Sequence, residues 1–298
     1  MTATTPLAGT SLPTATTERL ARRQRALLKV FGERFITTFN SPVLFLDDQI
    51  LSCPVAVRFF NKDFPYLSKQ LYLEYQYRSW KGYNQDLLVR YAELITKRLD
   101  NIQVLLTSTA SRMRKLLDQQ GYKLDATLWP QNLDIDVPVI ARQARTYWDM
   151  LLLLEEVYLL ACTANYFGVL TSDQRATAEH ICKKSIRTFR SVLQTEVVKL
   201  YREADRLVKE QRSAGTVDQR MADMVEEQGR DIAAFAASSD EEARHDPSDD
   251  APGAAADPLP QEALPVPDPE VPPARKPRAR RAAVHEEVVE PQPALGAA

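Results

Sequence analysis

Apolar residues recur at three- and four-residue steps over most of the first 212 positions, and that spacing predicts a chain of amphipathic helices. From Glu18 to about Phe39, Leu20, Leu27, Leu28, Phe31 and Phe35 alternate with Arg19, Arg22, Arg23, Arg25 and Lys29, and Thr17 suits an N-cap. The pattern is clearest from Asn84 to Gln120. There Leu87, Tyr91, Leu94, Leu99, Ile102, Leu106, Met113 and Leu116 mark one face and Gly121 is a natural stop. Pro138 is expected to open a further helix reaching Phe167, with Gly168 at its end. Thr171 with Gln174 reads as a capping box before a long final helix. Its apolar stripe is Cys182, Ile186, Phe189, Leu193, Val197, Leu200, Ala204 and Leu207. Two long helices joined by so short a turn predict an antiparallel hairpin.

Other stretches are less regular. Pro42, Pro54 and Pro65 punctuate two apolar runs, Val43 to Leu46 and Val55 to Phe60, which read equally as short strands or as extended packing segments. Leu133 to Val137 alternate with period two, as in a short strand or extended entry. Ten aromatic residues lie between Phe59 and Tyr91, more than one surface normally exposes, so most are expected to pack against helices. A weaker helix is expected from Val217 to Ala237, either fraying or docking on a partner. The predicted fold class is all-α, a bundle around long antiparallel helices with one or two short strands. Residues 17–212 form the helical domain, 213–237 an accessory helix, and 1–16 and 238–298 are expected to be disordered.

Composition sharpens that division. From Asp240 onward there are 13 acidic and 6 basic residues, a net charge of −7, together with 12 of the 19 prolines. The remainder carries +5, so the overall −2 conceals a mildly basic body joined to an acidic tail. The tail holds too little apolar surface to offset its ordering entropy. No basic start followed by an apolar run opens the chain, and Met150 to Leu170, the most apolar stretch, is interrupted by Glu155 and Glu156. A soluble cytoplasmic protein without a membrane span is the expectation.

Catalytic chemistry finds little to build on. The chain has no glycine-rich phosphate loop and no nucleophile elbow. His180, His245 and His285 are its histidines, and His180 has only Cys182 at ligand spacing, so no metal or cofactor is expected. Cys53, Cys162 and Cys182 are widely spaced; the latter two sit among apolar helix positions, and disulfides are not expected. The acidic pairs Asp47/Asp48 and Glu155/Glu156 have the residue types of general acid-base work, yet a helix's polar face needs charge in any case. The reading is a non-enzyme.

Phosphate binding asks only for several cations on one accessible face, which helices supply at i, i+3, i+4 and i+7. Lys183, Arg187 and Arg190, with Lys184 beside them, lie opposite much of the Ile186, Phe189, Leu193 stripe. Arg112, Arg114 and Lys115 crowd the end of the Asn84 helix, and Arg19, Arg22, Arg23 and Arg25 make a third group. In the tail, Arg275, Lys276, Arg278, Arg280 and Arg281 form a compact cluster like the flexible arms that contact phosphates, with Glu286, Glu287 and Glu290 following. For any one helical cluster a solvated helix face is the simpler account, and it is their joint occurrence that points toward DNA.

Several of these features together resemble the AcaB-like proteins of conjugative plasmids and integrating conjugative elements. The similar parts are Tyr77, Arg78, Ser79, Trp80 before the Asn84 helix; the Leu133 to Pro138 entry; and the hairpin from Tyr147 and Trp148 through Leu170 and Thr171 to Arg187, Phe189 and Arg190. They span roughly Tyr72 to Lys199. The resemblance implies a DNA-binding transcriptional regulator of a mobile element. Ribbon-helix-helix reading of bases is not expected here, because the polar face of Leu133 to Val137 presents Asp134 and Asp136, which phosphates repel. A helix face is the expected contact with double-stranded DNA. The rival reading is a helical scaffold or adaptor that binds a protein partner, and a homodimer is compatible with either.

Overall fold

The computed structural model describes residues 14–122 and 127–245, with side chains for 17–122 and 127–237. Among these residues the fold is all-α save for one two-stranded ribbon, and every one of them belongs to the same compact unit. The basic cluster from Arg275 to Arg281 lies outside the described residues.

The N-terminal helix expected from Glu18 to Phe39 is two helices, α1 (Thr14–Phe31) and α2 (Glu33–Thr38). Gly32 divides them with φ of 79°, a conformation that only glycine adopts without strain. Thr17 therefore sits inside α1 and caps nothing. The open choice between Pro42 and Pro65 resolves two ways. Val43 to Leu46 lead into strand β1 (Leu44–Leu51), while Val55 to Phe60 belong to helix α3 (Pro54–Lys62), with Pro54 in its first turn, where a missing N–H costs nothing. Helix α4 (Phe64–Arg78) follows, and Phe64, Leu67, Leu71 and Tyr77 are almost wholly buried.

Helix α5 (Gln85–Gln119) has the expected bounds: the Asn84 side chain accepts from the Leu87 N–H, and Gly121 turns the chain at φ 74°. Its buried stripe ends on Leu117, with Leu116 turned outward. Strand β2 (Leu133–Val139) pairs antiparallel with β1. Pro138, expected to open a helix, instead stands opposite Phe45 in that ribbon. A proline is tolerated there because each strand of a two-stranded sheet has a free edge. Helix α6 (Arg142–Tyr166) begins four residues later and contacts α3, α4, α5 and α7, which makes it the central helix: Trp148, Leu151, Leu154 and Val157 are fully buried.

The Thr171/Gln174 capping box forms as expected, with reciprocal bonds of 3.2 and 3.0 Å, and opens α7 (Ser172–Ser213). Every residue of the predicted α7 stripe is buried, against α5 on one side and α6 on the other. Helix α8 (Gln219–His245) runs eight residues past the expected end at Ala237 and packs on α7 through Ala222, Val225 and Phe235. No described helix is long and apolar enough to cross a membrane.

Candidate nucleic-acid interface

The ribbon settles one basic cluster. Its register slips by one residue between Leu46 and Gln49, a bulge that places Asp48 at φ 53°, a conformation aspartate tolerates better than most residues. Asp47 and Asp48 are thereby turned toward α1. Arg23 grips Asp47 with two bonds, Nε to Oδ1 at 3.0 Å and Nη2 to Oδ2 at 2.6 Å, and Arg19 donates to the same carboxylate. Arg22 lies 2.9 Å from each of three carboxylates, Asp48, Asp134 and Asp136. Asp136 is buried and also accepts the Asp48 N–H at 3.0 Å. The hydrogen bonds from Arg23 and then Arg19 hold the Asp47 carboxyl down at about 2. Three of the four α1 arginines are thus spent on the ribbon's acids, three guanidiniums against the four carboxylates of Asp47, Asp48, Asp134 and Asp136.

The Asn84-helix cluster is partly spent as well. Arg114 donates to Glu156 of α6, while Arg112 is half-buried and Lys115 exposed. The other acid of that pair has a different structural task. Glu155 Oε2 accepts the backbone N–H of Ser52 at 2.7 Å and of Cys53 at 3.1 Å, capping α3, whose own N-cap residue supplies no side-chain acceptor. Both tempting acidic pairs are accounted for by ion pairs and capping.

The α7 cluster divides. Lys184 is exposed, and Lys183 and Arg187 are half-exposed. Arg190 is turned inward: its Nη1 donates to Asp63 at 3.1 Å, with the two side chains 13% and 1% exposed. Its guanidinium also lies 4.6 Å from the centre of the Phe235 ring. Asp63, at the junction of α3 and α4, is the point at which that region meets Arg190 of α7. Arg58 and Lys62 stand one turn apart on the exposed side of α3. None of Arg58, Lys62, Lys183, Arg187 and Arg190 is without a partner. Sequence reasoning missed Arg58 and Lys62, since a strand or coil reading of Val55 to Phe60 hid their i, i+4 spacing.

Of the α7 cluster, Lys183, Lys184 and Arg187 lie toward the surface, while Arg190 is held inward by Asp63. All three cysteines are buried and unpaired, and burial pushes the Cys53 and Cys182 thiols up to about 11, which keeps them protonated and poorly nucleophilic. Among the described residues no group of three or more His, Cys, Asp or Glu side chains could hold a metal ion.

The architecture is that of an all-α bundle carrying one antiparallel ribbon ahead of its central helix. Among solved structures, it is similar to selenomethionine-containing AcaB from uropathogenic E. coli, with a TM-score of 0.51 and 17% identity. The likeness covers 63% of this chain and 100% of that one, and at such identity it shows a common fold. No family model and no curated protein matches the chain.

Proposed function

We propose that this protein is a non-enzymatic DNA-associated regulator or accessory factor of a bacterial mobile genetic element, and that it meets double-stranded DNA with the outward basic face of α7. The observation that carries the reading is that Lys183, Lys184 and Arg187 lie within four positions of one another on the outward side of α7. Cations at that spacing suit backbone phosphates, whose contacts supply sequence-independent affinity. The AcaB-like fold supports the same direction. The ribbon and the Arg19, Arg22 and Arg23 group are assigned no DNA contact, because those arginines are held by the ribbon's acids, which outnumber them.

The test is fluorescence anisotropy of a labelled duplex library at low and physiological salt, with Lys183→Ala/Lys184→Ala/Arg187→Ala alongside. Arg190 is left intact because its substitution would disturb the interior. Salt-sensitive binding that the triple variant loses supports the reading, and no binding at low salt overturns it.

One observation favours a protein partner instead. At the α6–α7 turn, Tyr122 stacks on Phe167 at 4.1 Å, and Tyr166 beside it is 73% exposed. Leu128, 81% exposed, is held nearby by the bond between Thr127 and Thr163. Exposed aromatic and aliphatic groups gathered at one end suit a scaffold's docking patch. Tyr166→Ser/Leu128→Ser would abolish partner binding under that reading and leave duplex binding unchanged.

A further inference from the structure

We propose that the cleft between α2, α4 and α8 is a binding site for a small uncharged ligand of nucleoside type, a flat heterocycle with a hydrogen-bond donor beside an acceptor. The cleft spans about 920 Å³, within the range of about 300–1,000 Å³ usual for small-molecule sites. Its walls are anchored. Helix α8 is seated on the bundle by Ala222, Val225 and Phe235, with Met221, Met224 and Ile232 packed beside them. Two ion pairs tie it across to α2 and α4, Arg34 to Glu227 at 3.8 Å and Lys69 to Asp231 at 3.4 Å. A cleft between elements held in this way is formed before a ligand arrives, so binding does not have to build it.

The lining sets the chemistry of the ligand. Phe35, Phe39 and Tyr72 line the cleft as a run of rings, with centres 4.9 Å apart for the first pair and 5.0 Å for the second. Met221 and Met224 line it from α8, and a flexible thioether moulds itself to a ring. Aromatic and thioether surfaces together suit a flat ring system. Two side-chain amides also line the cleft, Gln70 and Gln228, only 2% and 5% exposed. Gln70 Oε1 and Gln228 Nε2 have no hydrogen-bond partner among the described residues, although Gln228 Oε1 takes the Tyr77 hydroxyl. Buried polar atoms left unbonded are costly, so an acceptor and a donor of this kind beside one cleft point to a ligand that supplies the complement. A nucleobase carries that complement, an N–H donor beside a carbonyl or ring-nitrogen acceptor. Charge decides against a phosphate. Five cations and five acids line the cleft, so it offers an anion no net attraction, and the ring and its polar edge supply the affinity.

The experiment is isothermal titration calorimetry of the full chain, without DNA, against adenosine, guanosine, cytidine and uridine and against their 5′-monophosphates. At least one nucleoside is expected to bind one to one, with its monophosphate no more than about threefold tighter. Gln70→Leu is expected to weaken that binding about tenfold while the Tm of the free protein stays level or rises, because the substitution removes a buried acceptor that has no partner. Phe39→Ala is expected to weaken it about tenfold through lost stacking. Met221→Trp fills the cleft from α8 and is expected to abolish binding. If Gln70→Leu does not fold, the other two variants carry the test. No nucleoside binding at millimolar concentration overturns the proposal, and so does binding that Met221→Trp leaves intact. Monophosphates that bind where no nucleoside does overturn the uncharged class. A thymidine oligonucleotide whose binding Phe39→Ala weakens, with no nucleoside bound, assigns the cleft to a nucleic-acid strand and overturns the free ligand. Duplex is absent throughout, so each of these outcomes leaves the DNA reading where it stood.

Discussion

Arg190 Nη1 sits 3.1 Å from Asp63 Oδ1, joining the helix that carries the basic face to the junction between α3 and α4. Asp63 is buried, so its charge depends on this partner for compensation. Arg190→Ala is expected to lower stability by about 3–5 kcal/mol, as removal of one partner of a buried pair does. Asp63→Asn, which leaves a shape-matched neutral group, should cost less. Urea denaturation of both variants checks this. Stability unchanged in Arg190→Ala would show that the guanidinium serves only the surface.

The grip of Arg23 and Arg19 on Asp47 predicts a dependence on acid pH. The folded-state carboxyl is depressed to about 2 from an ordinary 3.8, so the stabilisation is fully present above 3.8 and is lost as pH falls through about 2. Asp47→Asn removes the charge and should flatten that part of the stability-against-pH curve between pH 4 and 2. Denaturant midpoints across that interval, compared between wild type and variant, provide the measurement. Added salt should weaken α1 docking in wild type, since these pairs are largely exposed.

Glu155 predicts a capping penalty at a distance. Glu155→Ala leaves the Ser52 and Cys53 N–H groups without their acceptor and should cost about 1–2 kcal/mol. Glu155→Gln keeps a carbonyl oxygen and should recover part of it. Thermal denaturation ranks the three proteins, and equal losses in Gln and Ala would point to lost charge in place of lost capping.

Arg58 and Lys62 carry a prediction about salt. If they reach the DNA that α7 binds, Arg58→Ala/Lys62→Ala should lower the slope of log affinity against log salt by about 1.8, near 0.9 for each phosphate contact removed. Anisotropy titrations at several salt concentrations give the slope. An unchanged slope would restrict the contact to α7.

Positions along helices were legible where the signal is local. The helix start near Asn84, the Thr171/Gln174 box and the Gly121 stop involve residues within a few positions of one another, and their backbone geometry follows from their own chemistry. The α7 stripe was legible for the same reason, because a 3.6-residue period records which side faces the core. Pro138 misled because proline suits both a helix start and a free strand edge, and only the register with Phe45 decides between them.

By itself, the sequence determined an all-α chain, its long hairpin, its principal helix ends and the surface or core side of most helical positions. Only the tertiary structure decided which charges remain available. Arg22 meets Asp134 across 112 positions, Glu155 caps a helix 102 positions away, and Arg190 turns inward to Asp63 across 127. Periodicity reaches about two helical turns, whereas charge neutralisation depends on which distant segments the packed core brings together. A cluster of cations written along a helix is therefore an inventory, and the fold determines which of them reach the surface as a site.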